Sequence, residues 1–258
     1  MAVSSKMVLI MEYDGTNYYG FQLQANLPTI QGEIEEALLK LTGEKCRVMA
    51  ASRTDTGVHA KEQVASFRTK SSLPSPTFIK GLNYYLPGDI AVKDAFKVND
   101  SFNVRRNAIS REYNYYILNS QTRSPTRRGF VYHVKGKLNL EAMNEACQLL
   151  IGTHDFASFA TAIMKSNLKS TIRHIHRTGV ERDGDLVVFN IAASSFLPHQ
   201  VRNTVGALIK VGLGKMTVDE FHSILEAKSP GLAGPAAPAC GLYLMRVNYP
   251  YSWEEICN

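Results

Sequence analysis

Residues 51–60 read ASRTDTGVHA, and this stretch decides how the rest of the chain is interpreted. It contains one carboxylate, Asp55, with Arg53 two residues before it and Gly57 and His59 two and four residues after it. An aspartate in a loop of small residues most often caps a turn. Here, however, Arg53 on the same side of an extended chain would keep Asp55 ionised, and Gly57 would let a bulky ligand approach the backbone. Asp55 is therefore the candidate nucleophile or general base.

Apolar patterns on both sides of this loop predict a mixed α+β fold. Short apolar or alternating runs predict strands, and apolar stripes at helical spacing predict helices. The predicted strands are 7–13, 46–50, 62–69, 89–98, 111–118, 171–182, 186–194 and 241–249. The predicted helices are 30–41, capped by Thr29 and stopped at Thr42-Gly43, then 76–86, 140–151 ending at Gly152, and one that begins near His199.

The order of these elements predicts two related halves, each with helices packed on an antiparallel sheet. The apolar pattern breaks at NDSFNVRRNA (99–108), so we expect an N-terminal half of residues 1–104 and a C-terminal half of residues 105–258. The first half holds the aspartate loop. The segment 229–241, rich in Gly, Pro and Ala, is interpreted as a loop before the last strand.

Composition narrows the class of protein. The chain has 258 residues, a formal charge of +6 and 45% hydrophobic residues, so it can bury a core and favours an anionic partner. No apolar run reaches the roughly 18 residues of a membrane-spanning helix, and the N-terminus lacks a signal-peptide pattern, so we expect a cytoplasmic protein. Its four cysteines are far apart, which predicts neither a metal site nor disulfides.

Basic residues recur among the predicted elements, and aromatic residues lie on a strand between them. Tyr113 and Tyr115 share one face of strand 111–118, as alternation requires. Arginines that hold phosphates beside rings that stack on bases would suit RNA, although solvated arginines and core aromatics are simpler interpretations. The basic residues are Arg105, Arg106, Arg111, Arg123, Arg127, Arg128, Lys165, Lys169, Arg173, Arg177 and Arg182.

Arg202 lies one position after Val201 on the last predicted helix, roughly 100° away from its apolar stripe. It is either an exposed helical arginine or the partner of a buried acid, and Gly206 one turn later would permit close packing. A different motif, EYDGT (12–16), resembles the loop of aspartate-nucleophile phosphatases. It has Glu12 at the nucleophile position, so that activity is excluded.

The loop SRTDTGVHA (52–60) resembles the catalytic loop of the tRNA pseudouridine synthase A family. The resemblance extends in order from about residue 8 to 249. It departs at Pro198 and Gln200, where the family usually has Tyr and Met. The other similar segments are YDGTNYYGFQLQ (13–24), TIQGEIEEAL (29–38), LNYYLPGDIAV (82–92), SREYNYYI (110–117), GTHDFASF (152–159), SFLPHQVRNTVGAL (195–208) and GLYLMRV (241–247).

The resemblance implies a pseudouridine synthase fold with a central basic cleft, a homodimer, and tRNA as the partner. The implied reaction isomerises uridines 38, 39 and 40 of the anticodon stem-loop, with Asp55 as nucleophile and Tyr113 packed on the target uracil. Arg53 and Arg202 are the further catalytic candidates, and Gly57 and His59 are the further substrate-binding candidates. Bond isomerisation involves no redox change and no gain of atoms, so neither a metal nor an organic cofactor is expected.

Three other functions remain open from the sequence. A non-catalytic RNA-binding protein would use the same basic and aromatic residues. A pseudouridine synthase could also act on another RNA. A membrane-surface protein is the weakest alternative, because the chain lacks a basic amphipathic helix of the required kind.

Overall fold

The computed structural model describes residues 4–161 and 170–257, and the fold is built mainly from antiparallel strands and packed helices. Lys165 and Lys169 of the basic series lie outside the described residues. The strands are β1 (Ser5–Tyr13), β2 (Met49–Ala50), β3 (His59–Thr69), β4 (Ile90–Val98), β5 (Ser110–Asn119), β6 (Tyr132–Val134), β7 (Gly152–Asp155), β8 (Ile172–Asp183), β9 (Leu186–Ala193) and β10 (Leu242–Asn248). The helices are α1 (Ile30–Thr42), α2 (Ser75–Tyr85), α3 (Leu140–Gln148), α4 (Gln200–Gly212), α5 (Val218–Ala227) and α6 (Trp253–Cys257). The predicted mixed α+β fold class is confirmed.

The chain forms two compact units, residues 1–111 with 244–258 and residues 112–243. These units differ from the predicted halves, 1–104 and 105–258, because residues 105–111 and the end of β10 pack with the first unit. In that unit Ile109 N donates to Asn248 O over 2.8 Å, and the Tyr249 hydroxyl donates to Val104 O over 2.7 Å. The predicted basic cleft between the halves stays a prediction.

In the first unit the strand order is β4-β1-β3-β10, and β2 pairs with β3. The β1 and β3 strands are antiparallel, with Leu9 opposite Ala65. The buried residues of α1 and α2 complete the core, which contains Leu9, Met11, Ile34, Leu38 and Phe78 as fully buried side chains. A rigid sheet therefore supports the loop between β2 and β3.

The predicted ends of α1 are confirmed by its caps. The Thr29 side chain accepts a hydrogen bond from Gly32 N, which satisfies one of the free donors of the first turn. At the other end Gly43 has φ 73°, and its N–H donates to Leu39 O. This left-handed conformation favours glycine and ends the helix.

In the second unit the strand order is β5-β9-β8-β7, and β6 pairs in parallel with β5. The helices α3, α4 and α5 pack together beside this sheet. The core contains Tyr115, Phe156, Phe159, Phe189 and Phe221 as fully buried side chains. Tyr115 is thus a core aromatic, as the simpler interpretation of its strand expected.

Several predicted boundaries are wrong. Only Met49–Ala50 of the predicted strand 46–50 is a strand, and α3 ends at Gln148. Gly152 then begins β7 and does not cap a helix, because residues 152–155 pair with β8. The sequence analysis also missed β6, β7, α5 and α6. Among the described residues, no helix is long and apolar enough to cross a membrane.

Candidate active site

The loop between β2 and β3, residues 51–58, is named the Asp loop. Its backbone is held by hydrogen bonds at several residues. Ala51 N donates to Val64 O over 2.8 Å, and Phe21 N donates to Thr54 O over 3.1 Å. Arg53 is exposed and Asp55 is half-buried, whereas Thr54 between them is buried. The fixed backbone therefore presents the arginine and the carboxylate on the accessible side of the loop.

Buried polar side chains of β1 and β3 form hydrogen bonds with the Asp loop. Gln63 is fully buried, and its Nε2 donates to Ser52 O over 2.8 Å and to the Tyr13 hydroxyl over 3.2 Å. The Tyr13 hydroxyl and Thr54 Oγ1 lie 2.8 Å apart. Both neighbours of Arg53 are thus tied to the sheet, which restricts the position of the loop that carries Asp55.

Glycines let a second loop approach the Asp loop closely. A Cβ atom on Gly15 would lie 2.1 Å from Val58 O, and one on Gly20 would lie 2.6 Å from Thr54 O. Gly57 has φ 75°, and its N–H donates to Tyr18 O over 3.3 Å. The left-handed conformation of Gly57 and its hydrogen bond to Tyr18 O thus give this glycine a structural role. Its contact with substrate stays a prediction.

His59 is almost completely buried at the start of β3, with 1% of its surface accessible. Its Nδ1 lies 3.2 Å from Gly15 N and 3.0 Å from Asp14 Oδ1. An unprotonated Nδ1 can accept from the Gly15 amide, and a protonated one can donate to Asp14. These contacts favour a supporting role for His59, and its predicted contact with substrate is not tested.

Two arginines of the predicted C-terminal half, Arg105 and Arg111, donate hydrogen bonds to the backbone where the Asp loop begins. Arg111 is 7% exposed, and its guanidinium donates to the carbonyl oxygens of Ala51, Arg105 and Ala108 over 3.1, 2.7 and 3.2 Å. Arg105 Nη2 donates to Ala50 O over 3.2 Å. Arg111 therefore supports the loop through its backbone, a role that the basic pattern in the sequence did not reveal.

Positive charge is concentrated at this place. Burial lowers the pKa of the Arg105 guanidinium, and the charges of Arg53 and Arg111 lower it further. Within residues 4–161 and 170–257, neither Arg53 nor Arg105 forms an ion pair with a carboxylate. Guanidinium groups such as those of Arg53 and Arg105 are suited to bind an anion.

Tyr113 and Arg202 belong to the second unit. Tyr113 is 6% exposed, and its ring packs edge-on against Phe196 with a centroid separation of 5.3 Å. Arg202 lies in the first turn of α4, where its Nε donates to Ala237 O over 2.8 Å. Gly206 packs closely against the loop 229–241, since a Cβ atom on Gly206 would lie 2.5 Å from Pro235 O. The predicted pairing of Arg202 with Asp55 stays a prediction.

The segment before α4 contains the two departures from the expected motif, Pro198 and Gln200. His199 has φ 61°, and its Nδ1 lies 2.9 Å from Thr161 Oγ1. Gln200 is buried, and its Oε1 accepts from Leu197 N over 2.8 Å. Asn203 on the same helix donates to Phe159 O over 2.6 Å. This segment is thus fixed by local hydrogen bonds, including one made by Gln200 itself.

Comparison with known proteins identifies the family. A sequence model described as tRNA pseudouridine synthase matches residues 9–105 and 146–250, which is more than half of the chain. The chain belongs to the tRNA pseudouridine synthase family. Both matched segments of this family carry candidate residues, since the first includes Asp55 and the second includes Arg202.

Curated relatives support the same assignment over nearly the full length. The chain is 45% identical over 241 residues to tRNA pseudouridine synthase A of Acetivibrio thermocellus, covering 93% of the chain and 98% of the relative. It is 43% identical over 243 residues to the enzyme of the same name from Thermoanaerobacter sp. (strain X514), covering 94% and 99%. It is 41% identical over 248 residues to that from Shewanella amazonensis, covering 96% and 94%. The predicted family resemblance is confirmed.

In this member of the tRNA pseudouridine synthase family, the structure shows supporting residues that the sequence analysis did not single out. Gln63, Tyr13 and Thr54 support the Asp loop, and their only signal in the sequence is a polar residue within an apolar strand pattern. In the described part of the chain, no three side chains of His, Cys, Asp or Glu come together as potential metal ligands.

Proposed function

We propose that this chain is a tRNA pseudouridine synthase that isomerises uridines 38, 39 and 40 of the anticodon stem-loop, with Asp55 as its nucleophile. The observation that supports this proposal most directly is the position of Asp55. It is the carboxylate of a loop whose neighbouring residues are fixed by buried hydrogen bonds, beside arginines that have no acidic partner among the described residues. Such an acid is accurately placed.

The proposed reaction breaks the N1–C1′ bond of uridine and forms a bond from C1′ to C5 of the same uracil. C5 then loses its proton and N1 gains one, so the product is an isomer of the substrate. Asp55 could attack C1′, as a carboxylate does in retaining glycosidases, or C6 of the uracil. A third route passes through a glycal after loss of the C2′ proton. All three need one ionised carboxylate and none needs a redox group.

The target base must leave its stack before it reacts, which costs a few kcal/mol. Arg53, exposed on the Asp loop, is proposed to fill the vacated position or to hold a phosphate, and Tyr113 to stack on the released ring. Base–aromatic stacking offsets the cost by about 1–3 kcal/mol. Arg202 is proposed to pair with Asp55 and fix its rotamer, and the enzyme is proposed to act as a homodimer.

A groove in the first unit supports RNA as the substrate. It has a volume of about 570 Å³, and six cationic side chains line it: Lys6, Lys45, Arg47, Arg53, Arg68 and Arg105. Arg47 pairs with Glu35 and Arg68 pairs with Asp100. Among the described residues the other four have no carboxylate partner, and a concave surface with such an excess of positive charge is suited to phosphodiesters. Arg53 joins this groove to the Asp loop.

Tritium release from tRNA labelled with [5-³H]uridine tests the proposal, because forming the C5–C1′ bond expels the hydrogen at C5. Wild-type protein should release tritium, whereas Asp55→Asn should release none and still bind tRNA within a few-fold of wild type. Substantial turnover by Asp55→Asn would remove the nucleophile role. Binding without any turnover by wild type would favour a non-catalytic RNA-binding protein, and mapping of the modified uridines would reveal a different RNA target.

A further inference from the structure

A series of buried hydrogen bonds connects β3 and β1 to the Asp loop. Gln63 Oε1 accepts from the backbone N–H groups of Ser52 and Val64 over 3.4 and 3.2 Å, which fixes the orientation of this amide. Its Nε2 must then donate to the Tyr13 hydroxyl oxygen. The Tyr13 hydroxyl oxygen in turn lies 2.8 Å from Thr54 Oγ1, and either hydroxyl can be the donor in this contact. These contacts thus lead from the strand β3 to the residue that precedes Asp55.

Thr54 is held at two points. Its side chain meets Tyr13, and its carbonyl oxygen accepts from Phe21 N over 3.1 Å. Thr54 and Tyr13 are both buried, so neither is available to contact RNA. Asp55 follows Thr54 directly in the chain and makes a further turn contact, since Val58 N donates to Asp55 O over 3.1 Å. The backbone on both sides of the Asp55 Cα is therefore fixed by groups that lie away from the accessible side.

We propose that Tyr13, oriented by Gln63 and acting through Thr54, is a positioning residue for Asp55. This inference rests on the proposed function, because positioning has meaning only if Asp55 reacts. A displacement of about 1 Å at a reacting group can lower the rate by about 100-fold. The hydroxyl–hydroxyl contact between Tyr13 of β1 and Thr54 of the Asp loop is a link through which the sheet determines where the carboxylate lies.

A purely structural role for the same hydroxyls makes a different prediction. In that case their removal would lower the stability of the protein and leave the turnover of folded molecules unchanged. The positioning role predicts an effect on the reaction rate of folded molecules. It predicts a lower kcat for folded enzyme with little change in KM or in tRNA affinity, because the hydroxyls do not touch the substrate.

A double-mutant cycle separates the two roles. The variants are Tyr13→Phe, Thr54→Val and the double variant, and the rate is tritium release at saturating tRNA for each molecule that circular dichroism shows to be folded. We expect each single change to lower kcat by about 10- to 100-fold, and the double variant to be no slower than the slower single one. Thr54→Ser keeps the hydroxyl and should retain wild-type kcat. Losses that multiply in the double variant, or an unchanged kcat, would overturn the proposal.

A matched control comes from the far end of β3. Thr69 is also buried, and its hydroxyl donates to Glu44 Oε2 over 2.9 Å. Thr69→Val removes this hydroxyl, which also accepts from Ser71 N over 3.0 Å, so it should lower stability without lowering the kcat of folded enzyme. If Thr69→Val slowed turnover as much as Thr54→Val, the effect would not be specific to the Asp loop.

Hydrogen exchange provides a readout that needs no turnover. The amides of residues 51–58 should exchange faster in Tyr13→Phe and Thr54→Val than in wild type or Thr69→Val. Unchanged exchange in the first two variants would overturn the positioning role even if labelled tRNA released no tritium. Absence of tritium release from the wild type, with faster exchange in those variants, would instead contradict the proposed reaction and leave the mechanical link intact.

Discussion

Arg111 Nη2 lies 3.1 Å from the carbonyl oxygen of Ala51, so a buried guanidinium holds the first residue of the Asp loop. The same side chain bonds the carbonyl oxygens of Arg105 and Ala108, which lie in the segment that leads into β5. One side chain therefore joins two stretches of the first unit that are 60 residues apart in sequence.

Loss of this guanidinium should destabilise the protein. In Arg111→Met three backbone carbonyl groups lose a charged donor, and the contact with Ala51 O is buried, where an unsatisfied group costs about 1–3 kcal/mol. We expect the free energy of unfolding to fall by at least about 2 kcal/mol, measured by urea denaturation. Arg123 is exposed, so Arg123→Met should change it by less than about 0.5 kcal/mol. Equal effects of the two changes would contradict the supporting role of Arg111.

The ring of Tyr113 should matter more than its hydroxyl. Tyr113→Phe keeps the aromatic face and is expected to bind tRNA as tightly as wild type. Tyr113→Ala removes a stacking contribution of about 1–3 kcal/mol, which corresponds to about a 5- to 150-fold loss. Tritium release and a tRNA-binding isotherm measure the two variants side by side. If Tyr113→Ala bound and turned over tRNA like the wild type, the stacking role would be wrong.

The groove should contribute to the salt dependence of RNA binding. Lys45 lines the groove and has no carboxylate partner among the described residues, so Lys45→Gln is expected to remove about one phosphate contact. The slope of log K against log salt should then become shallower by about 0.7–0.9. Lys80 is exposed in the same unit but outside the groove, and Lys80→Gln is the control. Identical slopes for the two variants would show that the groove does not hold phosphates.

Cys147 should make the stability of the protein fall at high pH. Burial raises the pKa of its thiol from 9.0 to about 12. The unfolded chain ionises this thiol above its ordinary pKa while the folded protein keeps it protonated. Its contribution is therefore fully present below about pH 9 and is lost as the pH rises towards 12.

The matched variant Cys147→Ala isolates that effect from other groups that titrate at high pH. Between pH 8 and pH 10 the free energy of unfolding should fall by about 1 kcal/mol less in Cys147→Ala than in wild type. Urea denaturation at the two pH values measures this difference. An equal fall in both proteins would show that the folded-state pKa of Cys147 is not raised.

Local signals in the sequence were sufficient for much of the fold. Thr29 and Gly43 marked the ends of α1, and the alternation in residues 111–118 marked β5. The helix α5 was missed even though Thr217 and Glu220 have the spacing of a capping box, and the structure confirms that box. The strands β6 and β7 have three and four residues, too few for a periodic pattern, and they exist because β5 and β8 provide partners.

The sequence pointed to a candidate reactive residue, whose role stays a prediction, and it did not reveal the residues that support its loop. Asp55 was chosen from the composition of its own loop, because a lone acid beside an arginine and a glycine is a local pattern. The contact between Tyr13 and Thr54 joins residues 41 positions apart, and no local pattern encodes such a pairing. Arg111 was grouped with the phosphate-binding arginines because its charge is visible in the sequence and its burial is not.

The first unit includes most of β10, the last strand among the described residues, since Leu244–Asn248 belong to this unit and β10 pairs with β3. A ribosome makes this strand after every residue of the candidate site. A nascent chain that stops before Leu244 therefore carries Asp55, Tyr113 and Arg202. It lacks residues 244–248 of β10, the strand that pairs with β3. Biosynthesis must therefore pass β10 before the sheet that supports the Asp loop can be completed.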